Sequence, residues 1–120
     1  MSNPTKIAET YIDSWNETDA GRRAARIAET FTPTAVYSDP MMRGEGHDGL
    51  SAMIAGAQAQ FAGLRFRQVG KVDAYADRIR FSWELGPDEG PALAGGTDFG
   101  TIEDGRLATV VGFLDFAPQA

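Results

Sequence analysis

Asp98 stands in the middle of residues 95–102, a segment whose composition predicts a β-strand. Aspartate is depleted in strands, so an acid at this position calls for a physical reason. If Ile102 faces the interior, the two-residue alternation of a strand turns Asp98 and its glycine neighbours inward as well. Burial among apolar groups raises the pKa of an acid and favours the neutral form, which donates a hydrogen bond. The opposite register, with Phe99 and the flanking threonines inward, fits the residues equally well.

A second carboxylate ends the short β-rich run 34–39, which lies between Pro33 and Pro40. Alternation along this strand places Tyr37 and Asp39 on the same face. The sequence therefore predicts a carboxylate beside an aromatic ring at the end of the first strand.

Three amphipathic helices are predicted from apolar residues at helical spacing. The first is capped by Asn3, the second begins after Asp19 and is stopped by Pro33, and the third ends before Gly63. Their inner stripes are Ile7, Ala8, Tyr11, Ile12 and Trp15, then Ala24, Ile27, Ala28 and Phe31, then Leu50, Met53, Ile54, Ala57 and Phe61. Three arginines lie largely off the second stripe and are predicted to face solvent: Arg22, Arg23 and Arg26.

Four consecutive antiparallel strands are predicted after the third helix, over 65–76, 79–85, 92–102 and 107–116. Asp104 and Gly105 form the hairpin turn between the last two. Helices segregated from such a meander give an α+β domain with the helices on one face of the sheet. Glycines within the strands allow the sheet to curl around the helices, so we expect a cone with an internal cavity.

The inner stripes would give this cavity an apolar, aromatic lining suited to a small hydrophobic ligand. Besides Tyr11, the predicted lining residues are Trp15, Phe31, Tyr37, Met53, Phe81 and Trp83. A filled core would show the same stripes, and the stripes alone do not separate the two interpretations.

Composition narrows the classes of partner. The chain has 120 residues, enough for one domain over 1–120, and a net charge of −6, which repels nucleic acid and anionic lipid. It has no cysteine and one histidine, so we expect no disulfide, no multi-histidine or cysteine metal site and no cofactor. No segment has the apolar length of a signal peptide or a membrane span, and we expect a soluble cytoplasmic protein without membrane contact.

The convex side of such a sheet would be left bare by the helices. We expect a homodimer that buries an apolar patch there, formed by residues such as Val69, Val110 and Leu114.

Several stretches together carry a family resemblance: Tyr11–Asn16, Phe31–Ala35 leading into Val36–Pro40, Thr97-Asp98, and the turn Asp104–Leu107. Over nearly its whole length the chain resembles the ketosteroid isomerase and SnoaL-like branch of the NTF2-like superfamily. The resemblance implies a cone-shaped α+β barrel with three helices packed on a strongly curved, mainly antiparallel sheet. It also implies a deep apolar cavity and common dimerisation.

The resemblance implies a proton-transfer site as well. By similarity to ketosteroid isomerases, Tyr11 and a protonated Asp98 form an oxyanion hole, and Asp39, followed by proline, is the general base. Removing a proton beside a carbonyl creates an enolate, which needs neutral donors at its oxygen and an ionised base over its carbon. Two tyrosines that often support the oxyanion tyrosine are replaced here by Phe31 and Ile54.

Other functions share this fold. A SnoaL-type polyketide cyclase needs one acid–base aspartate in an apolar cavity, which either Asp39 or Asp98 could supply. In a non-catalytic protein that binds a ligand or dimerises, Asp39 would only cap a loop and Asp98 would only hydrogen-bond Tyr11.

Overall fold

The computed structural model describes residues 3–117. Its elements, in chain order, are α1 (Pro4–Asn16), α2 (Ala20–Thr30), β1 (Phe31–Ser38), β2 (Arg43–Glu45), α3 (Gly46–Gln60), β3 (Arg65–Tyr75), β4 (Arg78–Gly86), β5 (Ala94–Glu103) and β6 (Arg106–Phe116). The predicted order of helices and long strands is confirmed. The three-residue strand β2, which pairs antiparallel with β1, was not among the predicted strands.

All six strands form one sheet in the order β2-β1-β6-β5-β4-β3. The strands β3 to β6 form the predicted antiparallel meander, and β1 joins it by pairing parallel with β6. The sheet is mixed but mostly antiparallel, and it is curved without closing into a complete barrel, since β2 and β3 remain its edges. The α+β architecture of three helices on a curved sheet is therefore confirmed.

Both predicted caps of the first two helices are present. The Asn3 side chain accepts from the Lys6 backbone N–H over 3.2 Å, and Asp19 accepts from that of Arg22 over 2.8 Å. Helix α2 ends one residue earlier than its stripe predicted, because Phe31 starts β1. Apolar character alone cannot separate the last inward residue of a helix from the first inward residue of a strand.

The prediction for the buried face of α2 is wrong in part. Ala24 and Ala28 are exposed, whereas Arg23, expected in solvent, has only 6% of its surface exposed. The Arg23 guanidinium donates to the backbone carbonyl of Glu17 over 3.0 Å and to the Gln58 side chain over 3.1 Å. A buried arginine is tolerated when its donors are matched in this way, so Arg23 ties α2 to α3.

Two of the three residues predicted for the convex face of the sheet, Val110 and Leu114, are corrected as well, whereas Val69 pairs with Ser82 on the outer face. Leu107 and Val110 are both buried although they lie three residues apart, because the β5–β6 pairing shifts by one residue between them. This bulge reverses the alternation along β6, so Val110 and Leu114 face the helices. Large apolar side chains left exposed on the outer face include Phe99, Val111 and Phe113.

The core lies between the helices and the concave face of the sheet. Tyr11 is at its centre, with the Phe81 ring 5.1 Å and the Phe31 ring 5.9 Å away between centroids. Over residues 3–117, none of the helices is long and apolar enough to span a membrane.

Candidate functional site

The register of β5 turns Asp98 into the interior. Asp98 has 1% of its surface exposed, while its neighbour Phe99 is 43% exposed on the opposite face. Across the sheet Asp98 lies between Phe81 of β4 and Gly112 of β6. Of the two registers that the sequence left open, the structure has the one that buries the acid.

Both carboxylate oxygens of Asp98 accept hydrogen bonds. The Tyr11 hydroxyl donates to Oδ2 over 2.7 Å, and the Trp83 indole N–H donates to Oδ1 over 3.1 Å. Burial raises the pKa of Asp98 to about 6, although these two donors act in the opposite direction. The pKa of Tyr11 lies well above its usual range because of burial and the nearby Asp98, so its hydroxyl remains a donor.

Asp39 follows β1 directly and closes a tight turn. Its Oδ1 accepts from the backbone N–H of Met41 over 2.7 Å and of Met42 over 2.9 Å, and its own N–H donates to the Met42 carbonyl over 2.9 Å. The Tyr37 hydroxyl donates to Oδ2. Burial, followed by the charge of Asp98 and the hydrogen bond to Asp39, raises the pKa of Tyr37 far above its usual range. Tyr37 is therefore a permanent donor to Asp39.

Gly112 lies where these pairs meet. A Cβ atom at this position would come 2.8 Å from Asp98 Oδ1, 3.1 Å from the Tyr37 hydroxyl oxygen and 3.3 Å from Asp39 Cβ. Only a residue without a side chain leaves these groups undisturbed. The two tyrosine–aspartate pairs, Tyr11 with Asp98 and Tyr37 with Asp39, thus converge on one point of β6.

A cavity of about 460 Å³ opens beside this point. Of the site residues predicted from the sequence, six line it: Tyr11, Trp15, Tyr37, Asp39, Trp83 and Asp98.

Three other predicted lining residues lie outside the lining. Phe31 and Phe81 are buried behind the Tyr11 ring. Met53 of α3 packs towards β2, where its sulfur would be 3.1 Å from a Cβ at Gly44.

Several lining residues were not among those predicted, namely Met42, Phe61, Phe66, Leu85 and Leu114. Phe66 is central to the wall, since its ring lies 5.3 Å from that of Trp15 and 5.4 Å from that of Trp83. Its position is encoded in alternation, because Phe66 pairs with the inward-facing Leu85 across β3 and β4. Phe61 already stood in the predicted inner stripe of α3.

The charge of the lining limits its chemistry. Among the described residues, Asp39 and Asp98 are its charged side chains, and no basic side chain is present. Within 3–117, no three His, Cys, Asp or Glu side chains are grouped as metal ligands would be. The cavity can therefore hold an uncharged ligand against two acids and two hydroxyl donors.

A family model covers most of the chain. The sequence model of the SnoaL-like domain matches residues 8–110, which include Tyr11, Asp39 and Asp98. The chain belongs to the SnoaL-like family. Among curated proteins no significant match is found.

Solved structures of this SnoaL-like fold include a similar protein from Agrobacterium tumefaciens, provisionally assigned as an isomerase of the SnoaL-like family. It is 41% identical, with a TM-score of 0.89 over 94% of this chain and 97% of that one. A provisionally assigned polyketide cyclase from Sinorhizobium meliloti is 22% identical, with a TM-score of 0.69 over 89% of this chain and 93% of that one. A provisionally assigned ketosteroid isomerase from Kribbella flavida is 19% identical, with a TM-score of 0.68 over 96% of this chain and 79% of that one. The last two likenesses show the fold alone.

Proposed function

We propose that this SnoaL-like protein is an enzyme that moves a proton next to the carbonyl group of a small apolar ligand. The observation that supports this most is that Tyr11, Asp39 and Asp98 line one mainly apolar cavity. A carboxylate and two neutral donors are the groups that enolate formation needs.

The proposed reaction begins with the ligand carbonyl oxygen facing Tyr11 and Asp98 and the adjacent C–H bond facing Asp39. Asp39 Oδ2, which accepts a single hydrogen bond, takes the proton, and the C–H electron pair forms the enolate. The enolate oxygen then accepts from the Tyr11 hydroxyl and from protonated Asp98. Asp39 returns the proton to a different carbon, which shifts the double bond and restores the base.

This reaction requires a proton on Asp98. Because burial raises the pKa of Asp98 to about 6, a substantial fraction of the acid is neutral near that pH. A developing negative charge on the ligand oxygen stabilises the protonated form further. The isomerase reading thus assigns Asp98 as donor and Asp39 as base.

A cyclase of the SnoaL type is the second candidate, and one observation favours it. Asp98 accepts from both Tyr11 and Trp83, and its pKa of about 6 is close to that of an efficient acid–base catalyst at neutral pH. In this reading Asp98 alone removes and returns the proton, and Asp39 holds the turn after β1.

Two substitutions separate these candidates. A β,γ-unsaturated cyclic ketone is followed by ultraviolet absorbance as it becomes conjugated, and a small cyclic ketone is followed by deuterium exchange next to its carbonyl. If Asp39 is the base, Asp39→Asn abolishes both reactions while Asp98→Asn leaves a residual rate. If Asp98 is the base, the order is reversed. Binding of the ketones without either reaction in the parent protein would instead indicate a non-catalytic ligand-binding protein.

We also propose that the protein is a homodimer, formed through the outer face of the sheet. Phe99 and Phe113 pack edge to face on this surface with their centroids 5.7 Å apart, and Val111 extends the patch. Burial of such an exposed apolar cluster against a second copy of the chain would stabilise a dimer.

A further inference from the structure

Trp83 differs from Trp15, the other tryptophan of the cavity wall, because its polar atom is directed at an acid. Its indole N–H donates to Asp98 Oδ1 over 3.1 Å, and both residues are buried. Trp15 packs its ring against Tyr37 and Phe66.

The position of the indole ring is set by its neighbours on both sides. Across the sheet Trp83 pairs with Gly96, where a Cβ atom would lie 2.6 Å from Cζ2 and 2.9 Å from Cε2 of the indole. The ring therefore lies on the bare backbone of β5 and reaches diagonally to Asp98, two residues further along that strand. On the other side, Phe66 of β3 packs edge to face against the indole ring. Rotation of the indole away from Asp98 would need this packing to open.

The groups around Asp98 otherwise oppose its ionisation. Burial raises its pKa, and the negative charges of Asp39, which lies near it with Tyr37 at the end of β1, and of Asp115 in β6 raise it further. No described basic side chain lines the cavity beside it. The two donors that stabilise its charged form are the Tyr11 hydroxyl and the Trp83 indole N–H.

These two donors differ in what a ligand does to them. In the proposed reaction the Tyr11 hydroxyl turns to the ligand oxygen, so its hydrogen bond to Asp98 is lost when the cavity is filled. The Trp83 N–H is fixed by Gly96 and Phe66 and stays on Asp98 Oδ1 throughout.

We propose that Trp83 is a positioning residue for Asp98: its indole N–H fixes Oδ1 and keeps this buried acid able to gain and lose a proton instead of remaining permanently neutral. Its use in turnover rests on the cyclase-type form of the proposed function, in which Asp98 removes and returns the proton, whereas its effect on Asp98 does not. Trp83 thus acts through Asp98 and not only as an apolar wall.

The test uses the intact protein labelled with ¹³C at the aspartate carboxyl carbons, with the Asp98 signal assigned from Asp98→Asn. In Trp83→Phe the aromatic wall is kept and the donor is lost, so the pKa of Asp98 should rise from about 6 by about one to two units, the equivalent of a hydrogen bond to a charged group. Trp15→Phe is the control, because it removes a tryptophan of the same wall whose side chain interacts with the Tyr11 hydroxyl and not with Asp98 directly, and it should move the midpoint less than Trp83→Phe does. An unchanged midpoint in a folded Trp83→Phe protein would overturn the proposal.

A measurement on the unaltered protein covers the case in which Trp83→Phe does not fold. The two indole N–H signals in a ¹⁵N–¹H spectrum should behave differently as pH changes. The Trp83 signal should titrate with the same midpoint as the Asp98 carboxyl carbon and by a larger shift than the Trp15 signal, because only Trp83 donates to Asp98 directly. A Trp83 signal that is insensitive to ionisation of Asp98 would also overturn the proposal.

Activity measured beside these titrations separates this proposal from the proposed function. If ketone isomerisation or exchange occurs, its pH profile should move with the Asp98 midpoint in Trp83→Phe. A shifted midpoint in a protein without either reaction supports the positioning role and counts against the proton-transfer function. Turnover in a protein whose Asp98 midpoint does not move supports the proton-transfer function and overturns the positioning role.

Discussion

The Tyr11 hydroxyl donates to Asp98 Oδ2 over 2.7 Å, and this bond joins the middle of α1 to the middle of β5 across 87 positions of sequence. Both residues are buried and both line the cavity, so the bond that holds α1 against the sheet is also within reach of a bound ligand. A ligand oxygen that enters between these two residues must break or share the bond. The protonation of Asp98 is therefore coupled both to folding and to ligand binding.

Stability should fall as pH rises through the range in which Asp98 ionises. The pKa of Asp98 is raised from an unfolded value near 3.8 to about 6, so the folded protein binds the proton more tightly than the unfolded chain does. The favourable contribution is fully present below pH 4 and is lost by pH 6 to 7, by up to about 3 kcal/mol. Urea unfolding between pH 4.5 and 7.5 measures this, with Asp98→Asn as the comparison. A slope of the same size in Asp98→Asn would assign the effect to another group.

Planar phenols should bind in the cavity as analogues of an enolate. Asp39→Asn removes a negative charge near the bound phenolate at constant side-chain size, so it should tighten binding. Asp98→Ala removes a donor whose charge-assisted hydrogen bond is worth about 1.5 to 3 kcal/mol, so it should weaken binding about 10- to 100-fold. Titration calorimetry gives both values, and parent-like affinity in both variants would refute the assignment of base and donor.

The outer face of the sheet should support self-association. Phe113 is 56% exposed and packs against Phe99, so Phe113→Lys should place a charge within the proposed dimer contact and favour the monomer. Leu93→Lys is the control, because Leu93 is equally a large exposed apolar residue but lies outside the strands. Light scattering at micromolar concentration should give a dimer for the parent and Leu93→Lys. A monomeric parent would contradict the dimer.

Element types and their order could be predicted from sequence because caps, stripes and alternation are local signals. The inward orientation of Asp98 could not, since alternation is symmetrical and the choice between faces depends on the partner strand, where Gly112 makes room. The prediction that Val110 faces outward was wrong because a one-residue shift in strand pairing leaves no local signal. The prediction that Arg23 faces solvent was wrong for a related reason, because its acceptors lie outside α2, one of them on Gln58 of α3.

The cavity was open to two interpretations at the level of sequence. Tyr37 and Trp83 carry the same apolar signal as Phe31 and Phe81, and only the three-dimensional packing separates the lining from the filled core behind Tyr11. The hydrogen bonds of Tyr37 and Trp83 to acids have no sequence pattern of their own. Alternation could place Tyr37 beside Asp39 because the two are two residues apart in one predicted strand, but Trp83 and Asp98 lie on two different strands, β4 and β5.

Gly112 offers a test of how closely the two tyrosine–aspartate pairs must converge. In Gly112→Ala the new methyl group would lie 2.8 Å from Asp98 Oδ1 and 3.1 Å from the Tyr37 hydroxyl oxygen, so one of the pairs must move. We expect a loss of stability of about 1 to 3 kcal/mol from overpacking, and a fall in kcat of at least about tenfold, because small displacements of catalytic groups are costly.

Gly56→Ala provides the matched control for this substitution. A Cβ atom at Gly56 of α3 meets no other atom within 4 Å, so the change should stabilise the helix by about 1 kcal/mol and leave phenol binding as it is. Thermal unfolding, phenol affinity and ketone turnover measured on both variants separate local crowding from a general effect of adding a methyl group. If Gly112→Ala keeps full phenol affinity and turnover, the acids and hydroxyls do not act as one site. In that case the cavity would bind its ligand through apolar contacts alone.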